Sequence, residues 1–259
     1  MSEKIRYFIE LSYNGTNYHG WQIQPNAITV QECLDSSLST VLRQKIETVG
    51  CGRTDTGVHA RQFYAHFDLE VQPEEKRPAD SLPIEKDSFL RRINAILPKD
   101  IAVKDLLTVN ADAHARFDAS LRSYEYHVHF TKDPFLHGLS WQIKDTPDVQ
   151  AMNLAARLLF EYTDFSCFSK SNTQVFTNNC KIFRAEWVET AGGLIFHISA
   201  DRFLRNMVRA IVGTLMLVGT RKIAPVDLHQ IISSKNRSNA GTSVPASGLY
   251  LTKVKYPFL

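Results

Sequence analysis

The sequence predicts an α+β fold, built from two halves, residues 1–110 and 111–259, that each mix strands with helices. Three observations support this. Apolar and polar residues alternate in "IRYFIELSY", "QFYAHFDLEV" and "RSYEYHVHF", the period of half-buried strands. Stretches such as "FLRNMVRAIVGTLMLVG" instead place apolar residues three and four apart, the period of a helix. No regular strand–helix–strand alternation appears, which disfavours a doubly wound parallel sheet and leaves neighbouring strands antiparallel. At 259 residues the chain supplies a sizeable core.

The first strand sets Ile5, Tyr7, Ile9, Leu11 and Tyr13 on one face, and "NGTNYHG" breaks it with turn residues. A helix follows. Thr29 and Glu32 form a capping-box pattern, and Val30, Cys33, Leu34, Leu38, Val41 and Leu42 line one side. "GRTDTGVHA" is then a loop leading into a strand with Phe63, Ala65, Phe67 and Leu69 on one face. The charged, proline-bearing stretch 72–86 reads as an exposed loop. A helix from Asp87, with Phe89, Leu90, Ile93, Ile96 and Leu97 as its stripe, stops at Pro98.

In the second half, Tyr124, Tyr126, Val128 and Phe130 share a strand face, and a helix is expected around Met152 to Phe160. Two strands turn at Gly192-Gly193. A strong helix then puts Leu204, Val208, Ile211, Val212 and Leu215 on one side and Arg202, Arg205 and Arg209 on another; the strand "GLYLTKVKY" closes the chain.

Composition is that of an ordinary globular protein, 44% hydrophobic and 22% charged. No apolar run nears the roughly 18 residues of a membrane span. The N-terminal residues enter a strand pattern with no signal-peptide layout, so the cytoplasm is the expected compartment. Cys33, Cys51, Cys167 and Cys180 stand far apart, which fits free thiols better than a disulfide framework or zinc knuckle. His127 and His129 share a strand face, but no further ligand cluster accompanies them, so no metal is expected. Net charge is only +3, yet bases concentrate late in the chain. Between 201 and 240, Arg202, Arg205, Arg209, Arg221, Lys222, Lys235 and Arg237 face only Asp201 and Asp227. Such a stretch is either a solvated face or the footprint of an anionic partner such as nucleic acid.

Asp55 is the residue that most asks for an explanation: a lone carboxylate in a glycine-bounded loop beside Arg53. It suits an Asx turn. The "DTG" tripeptide matches that of aspartic proteases, but those need a second aspartate sharing a proton, and Arg53 works against an acid that must stay protonated. A glycosidase would need a partner acid across the scissile bond, and none is obvious. A nucleophilic carboxylate, forming a covalent intermediate with an electron-poor carbon, needs neither metal nor redox cofactor. That agrees with a chain showing no phosphate-loop, dinucleotide or zinc signature.

"CGRTDTGVHA" resembles the signature loop of the TruA family of tRNA pseudouridine synthases. "SYNGTNYHGWQIQP" with "TVQECL" is similar to that family's N-terminal strand, turn and helix. "AHARFDASLRSYEYHV", "DFSCFS", "FLRNMVRAIVGTLMLVG" and "ASGLYLTKVKY" match its later blocks in the same order. The resemblance runs over nearly the whole chain. Thr56 stands where an alanine is expected, and "NNCKIFRAEW" is less basic than the corresponding family stretch.

The resemblance implies the pseudouridine synthase fold: two similar halves forming a continuous, mainly antiparallel sheet with flanking helices and a central basic cleft. It implies a homodimer, a tRNA contacting both subunits, and no cofactor. The reaction isomerises uridine to pseudouridine in the anticodon stem-loop, at the positions called 38 to 40. The N1–C1′ bond breaks, the base rotates, and C5 bonds to C1′. Asp55 matches the nucleophile, for which attack on C1′, attack on C6 and removal of a ribose proton all remain open. Tyr124 matches the active-site tyrosine, Arg209 the arginine that pairs with the aspartate, and Arg53 a residue near the flipped-out nucleotide. Arg202 and Arg205 are expected to touch phosphates; Leu249 and Leu251 are expected to wall the base pocket. Two alternatives are a synthase with a different or broader RNA substrate and a non-catalytic tRNA-binding protein or chaperone. Asp55, Tyr124 and Arg209 together argue against the second.

Overall fold

The computed structural model describes residues 3–71, 84–170 and 177–259. The chain forms two compact units, Met1–Ala119 with Tyr256–Leu259, and Ser120–Lys255.

In the first unit the order is β1 (Glu3–Tyr13), α1 (Val30–Leu42), β2 (Val49–Gly50), β3 (His59–Val71), α2 (Lys86–Ile96) and β4 (Ile101–Thr108). Strand β1 pairs antiparallel with both β3 and β4, and β2 pairs antiparallel with β3. The Thr29 hydroxyl caps α1, accepting from the Glu32 amide at 3.3 Å. Helix α2 starts one residue earlier than its periodicity suggests, because the Glu85 carboxylate caps it by accepting from the amides of Asp87 and Ser88.

Three features depart from the simple periodic reading. Tyr7, Phe8 and Ile9 are all buried, so β1 is covered on both faces; Tyr64, His66, Tyr256 and Phe258 close around the Phe8 ring. Ile96, expected in the α2 stripe, is 48% exposed. Strand β4 carried no clear signal, since the β1–β4 register shifts at Glu10/Leu11 and its alternation breaks there. The loop expected over 72–86 falls largely outside the described residues.

In the second unit the order is β5 (Leu121–His129), β6 (Trp141–Gln142), α3 (Val149–Leu158), β7 (Ile182–Thr190), β8 (Gly193–Ala200), α4 (Met207–Gly219), α5 (Asp227–Ser233) and β9 (Leu249–Lys255). Strand β5 lies between β8 and β9, and β8 continues to β7, all antiparallel. The short β6 runs parallel to β5, an exception to the antiparallel expectation. Gly193 belongs to β8, so the hairpin turns one residue earlier, at Gly192 with φ +90°.

Helix α4 corrects the sequence reading in two ways. It begins at Met207, after Asn206 in the left-handed region with φ 66°, so Arg202 and Arg205 precede it and form no helical stripe with Arg209. It is also buried on nearly every side, from Met207 and Val208 through Gly219, with α3 packed against it. A helix enclosed in this way carries structure on most of its surface; Arg209 is its one charged residue. Among the described residues no helix is long and apolar enough to cross a membrane.

Candidate active site

The Asp55 loop is set by backbone contacts with the segment after β1. The Cys51 amide donates to the Tyr64 carbonyl at 2.7 Å, extending the β2–β3 pairing. Trp21 N–H donates to the Thr54 carbonyl at 3.2 Å, and Gly57 N–H to the Tyr18 carbonyl at 3.3 Å. The Tyr13 and Thr54 hydroxyls share a buried hydrogen bond of 2.9 Å. The loop also closes on itself, Val58 N–H donating to the Asp55 carbonyl at 3.1 Å, with Gly57 at φ +79°.

Glycine is required where these two chain segments meet. Gly20 has φ +87°, and a Cβ there would lie 2.4 Å from the Thr54 carbonyl oxygen. A Cβ on Gly15 would lie 2.0 Å from the Val58 carbonyl oxygen; its N–H donates to His59 Nδ1 at 3.0 Å. Below the loop the Trp21 and Phe63 rings stack at 4.1 Å. Thr54 and Val58 are buried, Asp55 is half-buried and Arg53 exposed. A carboxylate flanked in this way is held on rigid backbone while remaining reachable, which is what a reacting side chain needs.

In the second unit Tyr124 lies in the middle of β5, opposite Ile198 of β8 and Leu251 of β9. It is half-buried, and its ring meets the Phe203 ring edge-on at 5.2 Å and 89°. Leu249 and Leu251 are buried on β9. Arg209, in the first turn of α4, donates from Nε to the Val244 carbonyl at 2.7 Å, and its own carbonyl accepts from Val244 N–H at 3.3 Å. Arg205 is exposed and Arg202 partly so.

A family model described as tRNA pseudouridine synthase matches residues 155–257. The chain is 50% identical to tRNA pseudouridine synthase A of Bacteroides fragilis, covering 97% of this chain and 96% of that protein. It is 50% identical to the protein of the same name from Porphyromonas gingivalis, covering 97% of each, and 36% identical to that of Clostridium acetobutylicum, covering 96% of this chain and 98% of that protein. This chain belongs to the tRNA pseudouridine synthase family.

For a member of this family, much of the positive charge between 201 and 240 is spent on structure. Lys235 pairs with Asp164 at 2.8 Å; with the Ser166 hydroxyl it holds the Asp164 carboxyl down to about 2. Arg221 reaches Asp148 at 3.5 Å, and Arg237 donates to main-chain carbonyls and a serine. The basic stretch, read in the sequence as either a solvated face or the footprint of an anionic partner, therefore resolves into separate roles, with Arg202 and Arg205 on the approach to α4. His127, weighed as a metal ligand, has Nε2 2.9 Å from a Glu125 carboxylate oxygen.

The sequence reading missed four residues that shape the loop and its approach. Tyr18 and Trp21 hold it through backbone hydrogen bonds, and Gly20 lets the two segments approach closely, although "NYHGW" gave only a turn signal. Asp35, buried on α1, accepts from Thr48 just before β2; a polar residue on the apolar side of a helix was the available clue.

Proposed function

We propose that this chain isomerises uridine to pseudouridine in the anticodon stem-loop of tRNA, at positions 38 to 40, with Asp55 as nucleophile. What carries this reading is a half-buried carboxylate clamped between two buried residues in a chain half-identical to tRNA pseudouridine synthase A of two organisms. Glycine-bounded backbone contacts fix the loop, so the carboxylate is aimed before substrate arrives and loses little freedom on reaction. By attack at C1′, an Asp55 oxygen forms a C1′–O bond as the N1–C1′ bond breaks and the uracil leaves as an anion. After the base rotates, C5 bonds to C1′ as the C1′–O bond breaks and returns the carboxylate, and the proton lost from C5 is balanced by one gained at N1. No metal or redox partner enters that balance.

From the family resemblance, Arg209 steadies the Asp55 carboxylate, Tyr124 stacks on the extruded base, and Leu249 and Leu251 form its apolar wall. Arg53 lies beside the flipped nucleotide, while Arg202 and Arg205 bind phosphates. Extrusion costs about a few kcal/mol, which contacts to the RNA backbone must supply. The enzyme works as a homodimer in the cytoplasm, one tRNA touching both subunits.

The deciding experiment uses Asp55→Asn, nearly the same shape but without a carboxylate nucleophile. Purified variant and wild type are incubated with a tRNA carrying uridine at 38, 39 and 40, and pseudouridine is mapped at each position. The variant should bind tRNA as wild type does and form no pseudouridine. Near wild-type turnover, with deamidation excluded by mass spectrometry, would sink the assignment. Wild-type product only outside the anticodon arm would replace the substrate with another RNA site.

A further inference from the structure

In the sequence Arg237 is one of seven bases between 201 and 240. Its surroundings show a structural use. Nη1 donates to the Gly241 carbonyl at 3.0 Å and the Ala240 carbonyl at 3.4 Å, and Nη2 to the Ser243 hydroxyl oxygen at 3.0 Å. The guanidinium thus folds its own chain, 237–243, around itself.

That folded segment lies along α4 and is fastened to it at successive turns. At the start, the Asn206 side-chain amide donates to the Ser243 hydroxyl. One turn on, Arg209 and Val244 exchange two bonds, Nε to carbonyl at 2.7 Å and amide to carbonyl at 3.3 Å. A further turn along, the Gly241 amide donates to the buried Thr214 hydroxyl at 2.9 Å. The approach is backbone to backbone: a Cβ on Gly213 would lie 1.9 Å from the Thr242 carbonyl oxygen, and one on Gly241 2.6 Å from the Gly213 carbonyl carbon. Beyond Val244 the Pro245 carbonyl accepts from the Tyr126 hydroxyl at 2.8 Å, which burial keeps protonated. The chain then enters β9 at Leu249.

Asn206 pays locally for this arrangement. It takes φ 66° without being glycine, and its side chain caps no helix amide. Such a backbone conformation in a non-glycine residue persists where surroundings impose it. Here the Ser243 hydroxyl is the partner in reach of both Asn206 and Arg237.

We propose that Arg237, through Ser243 and Val244, is a positioning residue for Arg209: it fixes the 237–245 segment so that the Val244 carbonyl holds Arg209 Nε and orients the guanidinium plane. An unheld arginine would sample several rotamers; one tied at Nε presents its terminal nitrogens in a single direction. The inference rests on the catalytic role assigned to Arg209 above.

The test measures single-turnover pseudouridine formation at saturating enzyme, tRNA affinity across a salt series, and thermal unfolding. Four proteins are used: Arg237→Gln, Ser243→Ala, Arg209→Ala, and Arg209→Ala combined with Arg237→Gln. Arg237→Gln should lower the saturated rate by about tenfold to a hundredfold while leaving the salt slope of binding at its wild-type value. Ser243→Ala, which removes no charge, should lower the rate in the same direction. In the Arg209→Ala background, Arg237→Gln should cause little further loss, since it acts through the missing side chain. A slope lower by about 1 with an unchanged saturated rate would make Arg237 a phosphate contact and overturn the proposal. Unchanged rate and slope would overturn it too, as would full additivity of the two losses. If Arg237→Gln fails to fold, the Ser243→Ala rate decides. If Arg209→Ala alone keeps the wild-type saturated rate, the role of Arg209 has failed, not the clamp.

Discussion

A single oxygen of the buried Asp35 carboxylate accepts from both the backbone N–H of Thr48, at 3.1 Å, and its hydroxyl, at 2.6 Å. The pair ties α1 to the chain entering β2, which leads into Cys51 and the Asp55 loop. Burial pushes the Asp35 carboxyl up to about 6, outweighing the Thr48 hydrogen bonds that pull it down. The fold therefore binds a proton there more tightly than the unfolded chain. Its contribution to stability is greatest below the ordinary aspartate range and is lost as pH rises to about 6. Asp35→Asn removes the ionisation and keeps a carbonyl acceptor. Wild type should gain on the order of 2–3 kcal/mol relative to the variant as pH falls from 7 to 4. Urea unfolding of both proteins across that range checks this, and parallel curves would refute it.

His66 acts in the opposite direction. Its Nδ1 accepts from the Ala115 amide at 3.1 Å. Burial first, then the nearby Arg6 and His114, holds it down at about 4. A buried neutral histidine stabilises the fold above the ordinary histidine range, and that contribution is lost as pH falls from about 6.5 towards 4. His66→Phe should lose about 1–3 kcal/mol at pH 7, because the Ala115 N–H is orphaned. It should also be less acid-sensitive than wild type over this window. Equal sensitivity in the two proteins would show that His66 titrates normally.

At Gly20 a side chain is excluded twice, by φ +87° and by a Thr54 carbonyl oxygen 2.4 Å from any Cβ. Gly20→Ala should cost at least the roughly 1–2 kcal/mol of a left-handed alanine. Because relief of the clash moves Thr54, the neighbour of Asp55, the saturated rate should fall by more than the loss of folded protein explains. A destabilised variant with a wild-type rate per folded molecule would show that the loop tolerates the shift.

Arg205, exposed ahead of α4, and Arg209, tied to Val244, should separate in kinetics. Arg205→Ala is expected to weaken tRNA binding and reduce the slope of log K against log salt by about 1, with the saturated rate intact. Arg209→Lys keeps the charge but lacks the planar fork, so it should bind tRNA normally and react slowly. A binding loss with an unchanged saturated rate for Arg209→Lys would remove it from the chemistry.

The sequence by itself determined what depends on near neighbours. The Thr29–Glu32 cap, the strand alternation of Phe63 to Leu69 and the isolation of Asp55 are written within a few residues of one another, so they were legible. Tertiary structure decided the rest. Helical periodicity runs unbroken from Leu204 into α4, yet the helix starts only at Met207, because Asn206 is held in the left-handed region beside Ser243, 37 residues away. Arg237 and Lys235 read alike as cations, but one folds a loop around itself and the other meets Asp164. The sequence marks Gly20 only as a turn residue; the fold packs the Thr54 carbonyl against it. Periodicity and capping record local energies, whereas a close backbone approach or a shared hydroxyl is an energy between segments distant in sequence, and only the folded chain brings those segments together.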